Sequence, residues 1–157
     1  MIYFDRKEIG DAFLAYFHAL WSQDTEVRRG ADAVKDMWME SLQYGELKFI
    51  GARGYFVDQY PELFEEIKQE AEKIPHLKWK NVVDIGAKDH PLNTLPWMEV
   101  RFPLQTVPNP NVVWLWGTKV AIANWTEDEP ILFISTNKYL VQLYTDYFNL
   151  LWNQGSN

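Results

Sequence analysis

The chain has 157 residues, a length typical of one domain that can bury a core without cross-links. It contains no cysteine, which excludes disulfides, thiolate catalysis and cysteine-ligated metals. Its net charge is −7, and 15 basic residues lie scattered among 22 acidic ones, which argues against direct nucleic-acid binding. With no secretion signal and no apolar run of about 20 residues, we expect one cytoplasmic domain, residues 1–157, that makes no membrane contact.

The two ends of the chain resemble each other. Residues 16–23 (YFHALWSQ) align with residues 147–154 (YFNLLWNQ), and the same offset also pairs Lys7 with Lys138. Each copy follows a short β-like run, at residues 2–4 and 131–134. We therefore expect one strand–helix unit at each end of the fold.

Hydrophobic periodicity and turn residues predict the elements of the first half. In chain order these are a strand at 2–4, a helix at 5–21, a polar linker at 22–30 with a brief extended piece at 25–28, a helix at 31–44, a strand at 47–50, a helix at 61–73 and a strand at 77–85.

The second half is richer in strands. Its predicted elements are a loop at 87–96, a strand at 97–102, a loop at 103–111, a hairpin of 112–116 and 119–125, a strand at 131–134 and a helix that starts after Thr136 or Asn137 and runs to Trp152. Strands and helices interleave early and antiparallel strands cluster late. This order predicts an α/β fold with a mixed sheet flanked by helices.

Several segments resemble a known family. Residues 116–122 (WGTKVAI), 129–131, 137–138 and 147–152 resemble the C-terminal signature of effector domains in TrmB-type archaeal transcriptional regulators. Residues 21–25 and 51–56 resemble stand-alone and regulator-linked relatives. The resemblance implies a phospholipase D-like α/β sandwich that serves dimerisation and effector sensing.

The chain also departs from that family. Residues 1–24 are assigned to a strand and a helix, so we expect a stand-alone domain without the winged helix-turn-helix. The carbohydrate-binding extension of sugar-responsive members is absent as well, so neither DNA binding nor sugar binding is carried over.

These observations favour a non-enzymatic regulatory or sensor domain that binds a small-molecule effector or a partner and forms a homodimer. We expect no cofactor, no metal and no catalytic residue. One alternative is a pure assembly partner of a separate DNA-binding regulator. The other is a phosphodiesterase of the phospholipase D type with a degenerate motif.

The phosphodiesterase alternative depends on His76 and Lys78, which begin an H-x-K-x-x-x-x-D pattern. The position of the acid is held by Val83, and Asp84 comes one residue late. If residues 77–85 form one strand, His76, Lys78 and Asp84 share a face of it. The sequence has no second copy of the pattern, which a pseudo-dimeric enzyme needs.

Polar residues near predicted strand ends are the candidate ligand contacts. Arg53 lies in a Gly51–Gly54 turn just past a strand, where open α/β sheets gather ligands. That turn is either an anion site or a tight turn, and Arg53 could instead pair with Asp58 or Glu62. The full candidate set is Arg53, Tyr55, Asp84, His90, Glu99 and Arg101.

Two further groups have open interpretations. Asp84, Asp89 and His90 either meet around a metal or belong to a solvated loop, and Glu99 and Arg101 either line the pocket or pair with each other. Aromatic residues of the late hairpin and of both terminal helices belong either to the core or to a dimer interface. The expected interface residues are Tyr16, Phe17, Trp21, Tyr147, Phe148 and Trp152.

Overall fold

The computed structural model describes residues 24–104, 111–125 and 128–156, together with residues 7, 10, 11, 14 and 18. Within this part of the chain, seven strands form one sheet in the order β1-β7-β6-β5-β2-β3-β4. The strands are β1 (Thr25–Arg29), β2 (Glu46–Ile50), β3 (Lys78–Val82), β4 (Met98–Arg101), β5 (Asn111–Trp116), β6 (Lys119–Asn124) and β7 (Ile131–Ser135).

Helices cover both faces of this sheet. They are α1 (Ala31–Leu42), α2 (Tyr55–Gln59), α3 (Pro61–Glu72) and α4 (Lys138–Gln154), and two short 3-10 turns lie at Ile85–Ala87 and Pro91–Thr94. Strands β2, β3 and β4 are parallel, whereas the other neighbouring pairs are antiparallel. The expected mixed α/β sheet flanked by helices is confirmed.

One face of the sheet carries an aromatic core that α1, α2 and α3 cover. Trp38 of α1 is 1% exposed and lies at its centre, 4.8 Å from Trp114 and 5.5 Å from Trp79 between ring centroids. Phe49 packs edge-on against the same rings. Phe49, Trp79 and Trp114 bring the inward faces of β2, β3 and β5 into this core, since alternate residues of a strand face opposite sides.

The other face is covered by α4. Phe148 and Leu151 of this helix pack against Val82, Leu115 and Val120 of the sheet. The Asn137 side chain caps the helix by accepting hydrogen bonds from the backbone N–H groups of Tyr139 and Leu140, as its position in the sequence predicts.

Three local predictions differ from the structure. Helix α2 precedes Pro61, in residues for which no element was predicted, and begins directly after Gly54, which turns the chain in the left-handed region (φ 96°). Strand β3 ends at Val82, and Asp84 instead starts a 3-10 turn. The supposed loop at 87–96 contains the second such turn.

The repeated strand–helix unit is confirmed at the C-terminal end, where β7 leads into α4. The first copy's strand at residues 2–4 lies outside the described residues. Lys7, Gly10, Asp11, Leu14 and His18 of the first copy are helical and exposed. Within the described ranges, none of the helices has the length and apolarity needed to cross a lipid bilayer.

Candidate functional site

Arg53 and Asp84 meet just past the carboxyl ends of β2 and β3. The Arg53 Nε atom lies 3.3 Å from Asp84 Oδ1, and the two side chains are 27% and 14% exposed. Parallel strands bring these residues together because both strands end at the same edge of the sheet. The partner of Arg53 is therefore Asp84 rather than Asp58 or Glu62.

His90 lies beside this pair and is held on both ring nitrogens. Its Nδ1 accepts a hydrogen bond from the Leu92 N–H at 3.1 Å, so its Nε2 carries the proton that faces Asp58 Oδ1 at 3.0 Å. Its ring also occupies the space next to Gly54, where an added Cβ would approach His90 Cε1 to 2.0 Å. His90 thus ties α2 to the second 3-10 turn.

A buried amide pair supports the same edge of the sheet. Asn81 is fully buried, and its Nδ2 donates to the Ala52 carbonyl at 2.8 Å and to Asn93 Oδ1 at 2.7 Å. Asn93 in turn donates to the Ala87 carbonyl. We did not predict this network, and its sequence signal is an asparagine two residues after Trp79, on the inward face of β3.

The six predicted ligand residues fall into three groups. Arg53, Asp84 and His90 cluster at the carboxyl edge, whereas Tyr55 packs against Trp125 with ring centroids 6.4 Å apart. Glu99 and Arg101 lie on β4, where Glu99 is exposed and Arg101 contacts α4. No group of three metal-binding side chains occurs among the described residues, and this includes the loop that carries Asp84, Asp89 and His90.

Arg101 holds the C-terminal end of α4. Its Nη1 donates to the Trp152 carbonyl at 2.8 Å, and its guanidinium lies 4.3 Å from the centre of the Trp152 ring. Glu99 is 4.0 Å away, a distance that makes it a weak partner. The contacts of Arg101 therefore connect two elements of the fold.

The predicted interface residues of α4 behave differently from one another. Phe148 is 1% exposed and stacks on Trp152 at 5.5 Å, so its side chain is enclosed within its own chain rather than presented to a partner. Trp152 is partly buried under Arg101, whereas Tyr147 is 47% exposed. Tyr16, Phe17 and Trp21 lie outside the described residues.

An apolar surface runs along one flank of α4, next to the helix side that packs on the sheet. We call it the exposed stripe, and its members are 47% to 68% exposed: Tyr139, Leu143, Tyr147 and Leu150. Their spacing of four, four and three residues places them in one line on the helix. Exposed Val27 and Phe133 lie opposite each other on β1 and β7, on the sheet face that α4 covers in part.

The degenerate phosphodiesterase pattern is dispersed. His76 precedes β3, is exposed and has φ 62°, whereas Asp84 lies beyond the other end of this strand, paired with Arg53. The expectation that His76, Lys78 and Asp84 share one strand face is therefore wrong. It failed because β3 is five residues long instead of nine.

No protein-family model matches the chain, and no curated protein sequence does. Solved structures match in fold. The archaeal chromatin protein TrmBL2, whose structure shows a novel mode of DNA binding, aligns with a TM-score of 0.54 and 13% identity over 96% of this chain. The chain spans 62% of the TrmBL2 chain.

Proteins of the phospholipase D type match as well. NucT from Helicobacter pylori aligns with a TM-score of 0.54 at 12% identity, covering 85% of this chain and 98% of its own. Nuc from Salmonella typhimurium, a phospholipase D family member, gives 0.51 at 11% identity, with 85% and 97% covered. The phospholipase D-like fold and the structural resemblance to a TrmB-type protein are confirmed.

Proposed function

We propose that this protein is a non-catalytic cytoplasmic regulatory domain that associates with a second copy of itself through α4. The observation that carries the proposal is the exposed stripe. Of the 17 residues of α4, only Lys138 and Asp146 are charged, and the outward side of a surface helix is normally rich in charge. Depletion of charge together with exposed tyrosine and leucine is typical of the centre of a protein–protein interface.

The geometry of the stripe favours a symmetric pair. A two-fold axis near the middle of this line of side chains brings the same surface of both copies together, so that residue i of one copy contacts residue j of the other and the reverse. Val27 and Phe133 extend the apolar surface onto the sheet. The fold match to TrmBL2 over 96% of this chain, together with the sequence resemblance to TrmB-type effector domains, supports the regulatory part of the proposal.

Light scattering of charge variants tests the proposal. Leu143→Glu places a carboxylate in the middle of the stripe and is expected to convert a dimer into a monomer. Asn149→Glu, the matched control, adds the same charge at another exposed position of α4 and is expected to leave the mass unchanged. A wild-type monomer at all concentrations would refute self-association, as would equal masses for the two variants.

We propose that any contact with DNA is made by a separate DNA-binding partner and not by this chain. The net charge of −7 disfavours binding of this chain to the phosphate backbone of DNA. Fluorescence anisotropy with labelled duplex DNA at low salt tests this point. Tight, salt-dependent binding by the protein alone would contradict the proposal, whereas binding only in the presence of a partner would support it.

A phosphodiesterase is the second candidate, because the fold match covers 98% of NucT. His76 is the residue to test, since it alone begins the degenerate pattern. Hydrolysis of an activated phosphodiester that disappears in His76→Ala would establish the enzyme. Equal background rates in the wild type and in this variant would leave the regulatory proposal in place.

A further inference from the structure

A cavity lies between the sheet and α4, at the opposite end of β2 from Arg53. Its volume is about 240 Å³, and its walls include Glu46, Lys48, Leu115, Lys119, Val141 and Thr145. Cavities that hold drug-sized ligands measure roughly 300–1,000 Å³. This cavity is therefore suited to a compact ligand.

The sheet places Lys80 side by side with Lys48, although of these two lysines only Lys48 lines the cavity. Lys48 and Lys80 are opposite each other in the β2–β3 register and both point toward α4, where Lys48 lies over Phe148 and Lys80 over Trp152. Their side chains are only 26% and 23% exposed. Like charges directly opposite in a sheet repel each other.

One carboxylate oxygen serves both ammonium groups. Glu46 Oε1 lies 3.5 Å from Lys48 Nζ and 3.8 Å from Lys80 Nζ, which are long distances for charge-assisted hydrogen bonds of about 2.7–2.9 Å. The two cations are thus incompletely neutralised, in a chain whose net charge is −7.

Lys119 is the second lysine of the cavity wall. It is 26% exposed, and its Nζ pairs with Glu40 Oε1 at 2.5 Å. The Thr145 hydroxyl donates to the Val141 carbonyl, so the lysines supply the hydrogen-bond donors that face the cavity. The three lysines, with Glu40 and Glu46, leave a positive balance at this site.

We propose that this cavity binds a compact phosphate dianion, either inorganic phosphate or a small phosphate monoester, between Lys48 and Lys119. Such an anion supplies negative charge beside Lys48, which has to share its carboxylate partner Glu46 with Lys80. The apolar walls at Leu115 and Val141 accommodate a short organic group. This ligand site is independent of the exposed stripe, because the cavity lies beneath α4 and the stripe lies on its flank.

Calorimetric titration of the full chain with inorganic phosphate in a phosphate-free buffer tests the site. We expect Lys48→Met to weaken phosphate binding about tenfold or more, because a charged hydrogen-bond donor is lost. Lys68→Met, the matched control, removes a similarly exposed lysine of α3 and leaves the affinity unchanged. Equal affinity of Lys48→Met and the wild type overturns the site, and so does no binding by the wild type up to millimolar phosphate.

If Lys48→Met does not fold, amide chemical shifts of the wild-type protein, measured by NMR during a phosphate titration, locate the binding site instead. Phosphate is expected to move the signals of Lys48, Lys119 and Thr145. Shifts that concentrate on Arg53 and His90 overturn the proposal and favour the carboxyl edge of β2 and β3. Titration with glycerol phosphate and with succinate then identifies the ligand. Tighter binding of glycerol phosphate than of inorganic phosphate indicates a phosphate monoester, and the reverse order indicates free phosphate. Tighter binding of succinate than of either phosphate shows general dianion binding and overturns the ligand class.

Discussion

Arg101 of β4 and Trp152 of α4 are joined by two contacts at once. The guanidinium donates to the Trp152 carbonyl at 2.8 Å and lies over the indole ring of the same residue, 4.3 Å from its centre. This carbonyl is among the last four of α4, which lack partners within the helix. The positive charge of Arg101 also lies at the C-terminal end of α4, where the helix dipole is negative. Arg101 therefore fixes α4 to the edge of the sheet.

Replacing Arg101 by Met is expected to reduce the free energy of unfolding by about 2 kcal/mol, because a charge-assisted hydrogen bond is lost and a helix-terminal carbonyl is left unpaired. Urea denaturation measures this change. Glu99→Gln, at the weak 4.0 Å partner, is expected to stay within about 0.5 kcal/mol of the wild type. An Arg101→Met protein as stable as the wild type would refute the structural role of Arg101.

Asn81→Leu is expected to destabilise the protein by about 3 kcal/mol. The substitution removes the Asn81 partner of three buried groups, the Ala52 N–H, the Ala52 carbonyl and Asn93 Oδ1, and each such group left unpaired costs about 1–3 kcal/mol. Thermal melting followed by circular dichroism measures the loss. The control Asn149→Leu, on the exposed surface of α4, should melt near the wild-type temperature.

Gly54→Ala is expected to cost at least about 2 kcal/mol, because φ 96° is strained for alanine and the new Cβ would collide with the His90 ring. Gly10→Ala provides the contrast, since it lies in a helical, exposed place with nothing within 4 Å of a new Cβ. There alanine should stabilise by about 0.5–1 kcal/mol. Chemical denaturation of both variants measures the two changes, and a harmless Gly54→Ala would contradict the described packing of His90.

The pKa of Glu26 is lowered in the folded protein, chiefly by its hydrogen bonds from Arg28 at 2.7 Å and 3.0 Å. A lowered folded-state pKa stabilises the protein above the unfolded pKa of the carboxyl, and this contribution is lost as pH falls through the folded value. Because the pair is largely exposed, we expect at most about 0.5 kcal/mol.

Carbon-detected NMR titration of the Glu26 carboxyl measures this shift. Arg28→Met is expected to raise the pKa of Glu26, whereas Arg29→Met, one residue along β1, should leave it in place. The stability difference between Arg28→Met and the wild type should shrink at acidic pH. An unchanged Glu26 titration in Arg28→Met would show that the ion pair is absent in solution.

Long periodic elements of this fold could be predicted from the sequence because their local signals agree. The hairpin around Gly117 and the Asn137-capped α4 are examples, since turn and cap residues stand where the hydrophobic pattern changes. Helix α2 was missed because five residues carry too little periodicity, and Pro61 marked only the start of α3.

Candidate sites were harder to predict than elements. The proximity of Arg53 to Asp84 follows from strand order, which brings together residues far apart in the chain, and only part of the predicted set converged. The cavity beneath α4 was missed because Lys48, Leu115 and Val141, which come from distant parts of the chain, meet only in the folded protein. Tyr147 is exposed whereas adjacent Phe148 is buried, and this difference depends on how α4 is rotated on the sheet.

Disulfide trapping tests self-association through α4 most directly, because the chain has no native cysteine. Leu143→Cys places one thiol in the middle of the exposed stripe, close to its own counterpart across a two-fold axis. Under mild oxidation we expect a covalent dimer on a non-reducing gel, and little dimer from Asn149→Cys at another exposed position of the same helix. Equal cross-linking of both variants, or none from Leu143→Cys, would contradict the proposal.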